Sequence, residues 1–500
     1  MKRFFACVFA FAIALSIFAV AGCGSGDADG DPVMHTVTFD TDGGSEIAPV
    51  QVEDGKTVAE PEKPVKDGCT FVQWNYLSEK YDFSLPVTSD LVLVAVWESD
   101  GQDQEDQEPV YEDNGERMMI TMWNEPRPIS ANAEKALEVM AQSGINTYVK
   151  WSYDQSLTEY CEKYGLDYMP HVRGVTPQGN SVYLAPDRII DAVTGFLYQD
   201  EPTYSGIDAL ESLAENHVQY YSDRLFFSNL FPEHDDSDTG VFGGHTYEEY
   251  VAHFCDTVYS IITENRLISV DCYPLYADGR IRTQWLTCYE VIAKYAKQYN
   301  ADFHFYVANT QHSTYRALDL ENLRFLVNVA MTYGANALGY FTYQNYEDGW
   351  GDGLVEEDGI TPTETYYYAQ QVNSELLSWD HVFLNFEWDC TMALEGASDG
   401  ENPCFAGLQY AVESIDALTS VAASEDTLIG RFTGKDGEVG LMFTNFRDPE
   451  DNKTDTVTMF LKDAQQAVVY VNGERTVVEA VGGMLTLSIA PGGAAFVIPF

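Results

Sequence analysis

Between residues 116 and 382 the sequence switches eight times between runs that read as buried strands and runs with the apolar spacing of helices. The strand-like runs are 118–124, 145–151, 166–172, 195–199, 225–230, 267–273, 302–309 and 337–343. Helical patterns fill the intervals, as at 132–143, 247–265, 283–298 and 320–333. Ser143-Gly144, Tyr164-Gly165 and Tyr333-Gly334 supply helix stops before the second, third and eighth strands, because Gly ends a helix in the left-handed conformation without strain. Eight strand–helix pairs in about 260 residues predict a (β/α)8, or TIM, barrel. An open doubly wound sheet is the alternative, but the Gly-rich turn expected after its first strand is missing.

Residues 383–500 lose the helical spacing. Short alternating runs such as LIGRFT, EVGLMFTN and DTVTMFLK, divided by turn residues, predict a β-sandwich. At the other end, Lys2 and Arg3 precede an apolar run at 4–20 that is short for a membrane span. The run closes Val20-Ala21-Gly22-Cys23, which resembles the lipobox of bacterial lipoproteins. That resemblance implies a signal peptide at 1–22, lipidation of Cys23, a tether at 23–33, and a protein held by lipid on the extracellular face of a bacterial membrane. Ordinary secretion with cleavage nearby is the alternative.

Residues 34–97 carry VTFDTDGG, EPEKPVKDGCTFVQW and DLVLVAVW. Together they resemble the internalin-type B-repeat, a β-grasp module of bacterial surface proteins that acts as a spacer or adhesive unit. Cys69 stands where that family usually has Tyr. An acidic linker, residues 98–115, follows, its like charges keeping it extended.

With 27 basic and 79 acidic residues, the net charge is −52. Such a field repels nucleic acid and anionic lipid, and points to a neutral or cationic polymer as partner. Beyond Cys7 and Cys23, seven cysteines remain, an odd number without metal-binding spacing. Cys390 and Cys404 are close enough in sequence to bridge, and the others read as buried thiols. No metal or cofactor is expected. The acidic loop 233–240 could hold Ca²⁺ but lacks EF-hand spacing, which favours a solvated loop.

In a barrel, chemistry gathers at the carboxyl ends of the strands. Those ends are unusually polar or aromatic here: Trp123, Asn124 and Glu125, then Lys150 and Trp151, His171, Asp200 and Glu201, Asn229, Asp271 and Tyr273, Gln311, Tyr343, and Trp350 in the following loop. Such a set supplies hydrogen bonds and flat faces for a ring-shaped polar ligand. The run GFLYQDEP resembles the strand-four site of barrel glycoside hydrolases, whose usual form is Asn-Glu-Pro. The resemblance implies Glu201 as general acid in cleavage of a neutral glycan. Asp200 replaces the usual Asn, and the nucleophilic Glu expected on strand seven is missing from VANTQHS. Asp271 is the preferred second carboxylate, with Glu125 and the Glu347–Asp348 loop as alternatives. Trp123, Trp151, Tyr273, Tyr343 and Trp350 are candidate sugar platforms, each as readily a packing residue. A catalytically inert carbohydrate-binding or adhesive lipoprotein is the competing reading.

Overall fold

The computed structural model describes residues 33–66, 69–76, 79–99, 108–127, 129–172, 191–234, 240–397 and 401–500. The chain divides into two compact units at Glu105–Asp106. Cys23, Arg173, much of the 98–115 linker and the middle of the 233–240 loop lie outside the described residues.

In the first unit, β1 (Met34–Asp40), β2 (Val50–Glu53), β3 (Cys69–Tyr76), β4 (Glu79–Lys80) and β5 (Leu91–Ser99) form one sheet in the order β2-β1-β5-β3-β4. The alternation seen in the sequence is physical here: Val37, Phe39, Leu93 and Ala95 face a core around the fully buried Trp74. The Asp42-Gly43 turn takes positive φ at both residues, and the Trp97 indole N–H donates to the Thr41 carbonyl at 3.1 Å.

In the second unit, the order is β6 (Met119–Met122), α1 (Ile129–Gln142), β7 (Thr147–Lys150), α2 (Thr158–Tyr164), β8 (Asp167–Pro170), β9 (Gly195–Asp200), α3 (Tyr204–Tyr221), β10 (Leu225–Leu230), α4 (Tyr247–Val258), β11 (Leu267–Val270), α5 (Gln284–Tyr299), β12 (Asp302–Ala308), α6 (Leu320–Thr332), β13 (Ala337–Phe341), α7 (Glu364–Leu377) and α8 (Asp380–Phe383). Six strands make a curled parallel sheet in the order β6-β13-β12-β11-β10-β9, and β7 and β8 form a parallel ladder of their own. Isolated bridges Tyr168↔Val193 and His171↔Leu197 link β8 to β9. The Asn146 amide N–H donates to Ile120 O at 3.1 Å, and the Asn146 side chain accepts from Ile120 N at 2.8 Å, joining the β7 side to β6.

Several strands stop short of the predicted bounds because their carboxyl ends turn away to form the rim. Asn124 takes φ 61° just past β6. α4 stops at Val258 rather than 265, because the Arg266 guanidinium takes the carbonyls of Tyr259, Ile262 and Tyr299 in place of a continued helix ladder. The helix stops hold: Gly144, Gly165 and Gly334 all have positive φ.

The carboxyl-terminal part has a six-stranded antiparallel sheet, β14 (Phe386–Leu394), β16 (Thr427–Gly434), β17 (Val439–Asn445), β22 (Ala494–Pro499), β19 (Gln466–Val471) and β20 (Glu474–Glu479) in spatial order. A three-stranded sheet, β15 (Leu418–Ala423), β18 (Asp455–Leu461) and β21 (Met484–Ile489), shares a core with it that includes Ile429, Phe443, Val457 and Met459. The other face of the larger sheet packs Phe432, Tyr470 and Phe496 on Trp379 and Phe383. Gly430 lies so close to Thr332 O that a Cβ would sit 2.4 Å away, so this contact requires glycine. Cys390 and Cys404 are not bridged, and every described cysteine is a free thiol.

Candidate functional site

Three carboxyl groups converge at the ends of β9 and β11. Asp200 closes β9, Glu201 follows it, and Asp271 follows β11. Glu201 is held at φ 45°, a conformation uncommon outside glycine, while its N–H donates to Asn229 O at 2.8 Å. Its carboxyl hydrogen-bonds that of Asp271. Asp271 Oδ1 is out of reach of solvent and has no hydrogen-bond partner.

The three resist ionisation. Burial, then the Glu201 charge, pushes the Asp200 carboxyl up to about 7, against an opposing hydrogen bond from Asn229. Burial raises Glu201, with the Asp271 hydrogen bond and nearby His234 pulling the other way. Asp271 is raised well above the usual carboxylate range by burial and by the charges of Glu201 and Asp200. Crowded acids in low dielectric cannot all be charged, so the cluster gives up its protons less readily than exposed carboxyls do.

Around this cluster the rim is aromatic. Tyr306 and Tyr273 border the carboxyls. Trp123 meets Tyr306 edge-on at 5.4 Å and Trp151 at 4.9 Å, and Trp151 lies 5.6 Å from His171. On the other side, Tyr273 stacks on Phe341 at 5.6 Å, and Trp350 lies 4.7 Å from His312.

Individual candidates fare differently. Trp151 is 38% exposed and offers a face, while Trp123 is buried beneath it. Tyr343 is completely buried and packs in the core, which corrects its reading as a platform. Lys150 and Glu125 form a buried ion pair at 2.7 Å, and Glu125 also accepts from the Tyr148 hydroxyl at 3.2 Å. That pairing commits Lys150 to Glu125 rather than to Asp200 or Glu201. Asn229 is buried against Asp200, whereas Gln311 is exposed on its loop. Among the described residues no group of three or more His, Cys, Asp or Glu side chains is placed to hold a metal ion.

Strand-by-strand reading missed Ser269, His304 and Thr121, buried polar residues that lead inward from Asn229. Each looks like a stray polar residue within an apolar strand. The available signal was their alignment across neighbouring strands, which depends on register.

Comparison with known proteins bears on the first unit. Residues 35–96 match the Listeria-Bacteroides repeat domain. Over 69 and 68 residues the chain is 38% identical to two Evansella cellulosilytica proteins assigned by name to the membrane, one of them as Gly-rich. These matches cover 13% of this chain and only 10% and 8% of those proteins. No helix among the described residues is long and apolar enough to cross a membrane.

Among solved structures, a glycoside hydrolase family 30 subfamily 8 xylanase from Clostridium acetobutylicum aligns over 76% of this chain and 95% of its own, at 10% identity and TM-score 0.37. A family 1 β-glucosidase from Thermotoga maritima aligns over 49% and 86%, at 9% identity and TM-score 0.34. A truncated 3-deoxy-D-arabino-heptulosonate 7-phosphate synthase from the same organism aligns over 55% and 95%, at 10% identity and TM-score 0.30. Likenesses this slight carry no weight for the chemistry, which has to come from the strand-end residues.

Proposed function

We propose that residues 116–382 close into a (β/α)8 barrel and act as a glycoside hydrolase on a neutral glycan, with Glu201 as general acid. The observation that carries this is the half-buried Asp200–Glu201–Asp271 cluster, whose three carboxyls are all raised by burial, beside an aromatic rim. Proton donation to a glycosidic oxygen needs a carboxyl that is still protonated at working pH. Trp151, Tyr273 and Trp350 would line the sugar path, with His171, Asn229 and Gln311 offering polar contacts. The chain would sit on the extracellular face of the cell membrane through lipid on Cys23, with the repeat domain between anchor and barrel.

Asp271 fits a proton-sharing partner of Glu201 better than a nucleophile across a cleft. A retaining pair stands about 5–5.5 Å apart and an inverting pair about 6.5–9.5 Å apart, whereas each of these two carboxyls shifts the proton affinity of the other through a direct interaction. The same contact favours a second reading, glycan binding without hydrolysis.

Turnover of a panel of neutral glycosides by wild type and Glu201→Gln separates the two. Loss of general acid catalysis lowers the rate by about 10²–10⁴-fold with glycan binding and folding retained. Equal binding by both proteins, with turnover by neither, would establish the binding protein instead.

A further inference from the structure

A line of buried polar groups runs inward from the carboxyl cluster. Asp200, Asn229, Ser269 and His304 are direct cross-strand partners on β9, β10, β11 and β12. Register alone therefore sets them side by side. The Asn229 amide lies 3.4 Å from Asp200 Oδ1, and Ser269 Oγ lies 2.7 Å from Asn229 Oδ1. His304 Nδ1 lies 2.9 Å from Ser269 Oγ, and Thr121 Oγ1 on β6 lies 2.9 Å from His304 Nε2. Asn229 is 3% exposed, and Ser269, His304 and Thr121 are completely buried. Gly339 leaves the space for this packing, since a Cβ there would meet Thr121 Oγ1 and the Tyr306 ring at 2.4 Å.

The hydrogens can be counted. Burial pushes the His304 imidazole down to about 3, so the ring is neutral and carries a single N–H. Ser269 also has one hydrogen. When it points to Asn229 Oδ1, Ser269 Oγ must accept from His304 Nδ1–H. His304 Nε2 is then bare and accepts from the Thr121 hydroxyl. With its Oδ1 engaged, Asn229 turns its NH₂ toward Asp200, and it also reaches Asp271. The reverse polarity needs a protonated Asp200 as donor and the Nε2–H form of His304.

We propose that Thr121, His304, Ser269 and Asn229 form a one-way donor relay that eases ionisation of Asp200, the carboxyl beside the general acid Glu201. Asn229 delivers the donor, while Ser269 and His304 are positioning residues acting through it. This rests on Glu201 as general acid. The other titratable groups facing the carboxyls include Tyr250 on α4, Tyr273 after β11, Tyr289 on α5, Tyr306 on β12, Tyr315 in the loop after β12, and His234 in the loop after β10. Lys150 is paired with Glu125.

Two measurements test the relay without requiring turnover. In ¹⁵N-histidine-labelled wild type at pH 8, the resonances lost in His304→Gln should show hydrogen on Nδ1 and a bare Nε2, with no ring protonation down to about pH 5. The Nε2–H form at pH 8, or an imidazolium above pH 5, overturns the relay. Thermal unfolding followed against pH supplies the second. Ser269→Ala should shift the midpoint of the stability decline between about pH 4 and 8 upward by about one pH unit, and Ser269→Thr, which keeps the hydroxyl, should restore it. An unmoved midpoint, or Thr behaving like Ala, also overturns it. Absence of turnover in wild type would remove the glycosidase reading and leave both results standing.

Discussion

Asp200 shows how much folding free energy the site withholds from stability. A carboxyl held up to about 7 in the folded chain, against about 3.9 when unfolded, binds its proton more tightly in the folded state. Stability from this group is thus intact below about pH 4, declines as pH rises toward 7, and stays lost above it. Asp200→Asn keeps the shape and an acceptor but cannot ionise. It should raise stability at pH 8 by on the order of 3 kcal/mol and change little at pH 4. Melting temperatures at the two pH values check this, and an equal effect at both would refute it. Glu201 and Asp200 were legible in the sequence because a strand-end acid pair before Pro is a local pattern. The Glu201–Asp271 contact was not, since it depends on how the ends of β9 and β11 converge.

At the scale of elements, the sequence revealed order better than extent. The eight strand positions follow from apolar runs and glycine stops, which are local. Element ends depend on which backbone groups a distant or later side chain captures, as Arg266 does beyond α4. The line from Asp200 to His304 was hidden for the same reason, because only pairing aligns residues that lie some thirty to forty positions apart in each step. Glycine stops also differ in ways the sequence cannot rank. Gly165 has φ 67° with open space at its Cβ position, whereas Gly334 has φ 84° and would place a Cβ 2.5 Å from Trp388 Cβ. Gly165→Ala should cost about 1 kcal/mol from the left-handed backbone alone. Gly334→Ala adds a collision with β14 and should cost about 3 kcal/mol or more. Thermal or urea unfolding of the two variants compares them directly, and equal losses would mean that β14 yields freely.

For the whole molecule, charge decides what can hold it at a membrane. At −52, the chain is repelled by anionic lipid. No described helix can span a bilayer. The proposed anchor is acyl chains on Cys23, each buried methylene contributing about 0.8 kcal/mol. Cys23→Ala should move the protein from the membrane fraction to the soluble one and abolish incorporation of labelled fatty acid. Raising the salt should not bring it back, since screening weakens repulsion without creating attraction. Fractionation and metabolic labelling of wild type and variant test this together. If the Cys23→Ala protein stays on the membrane, the lipid anchor is not what holds it.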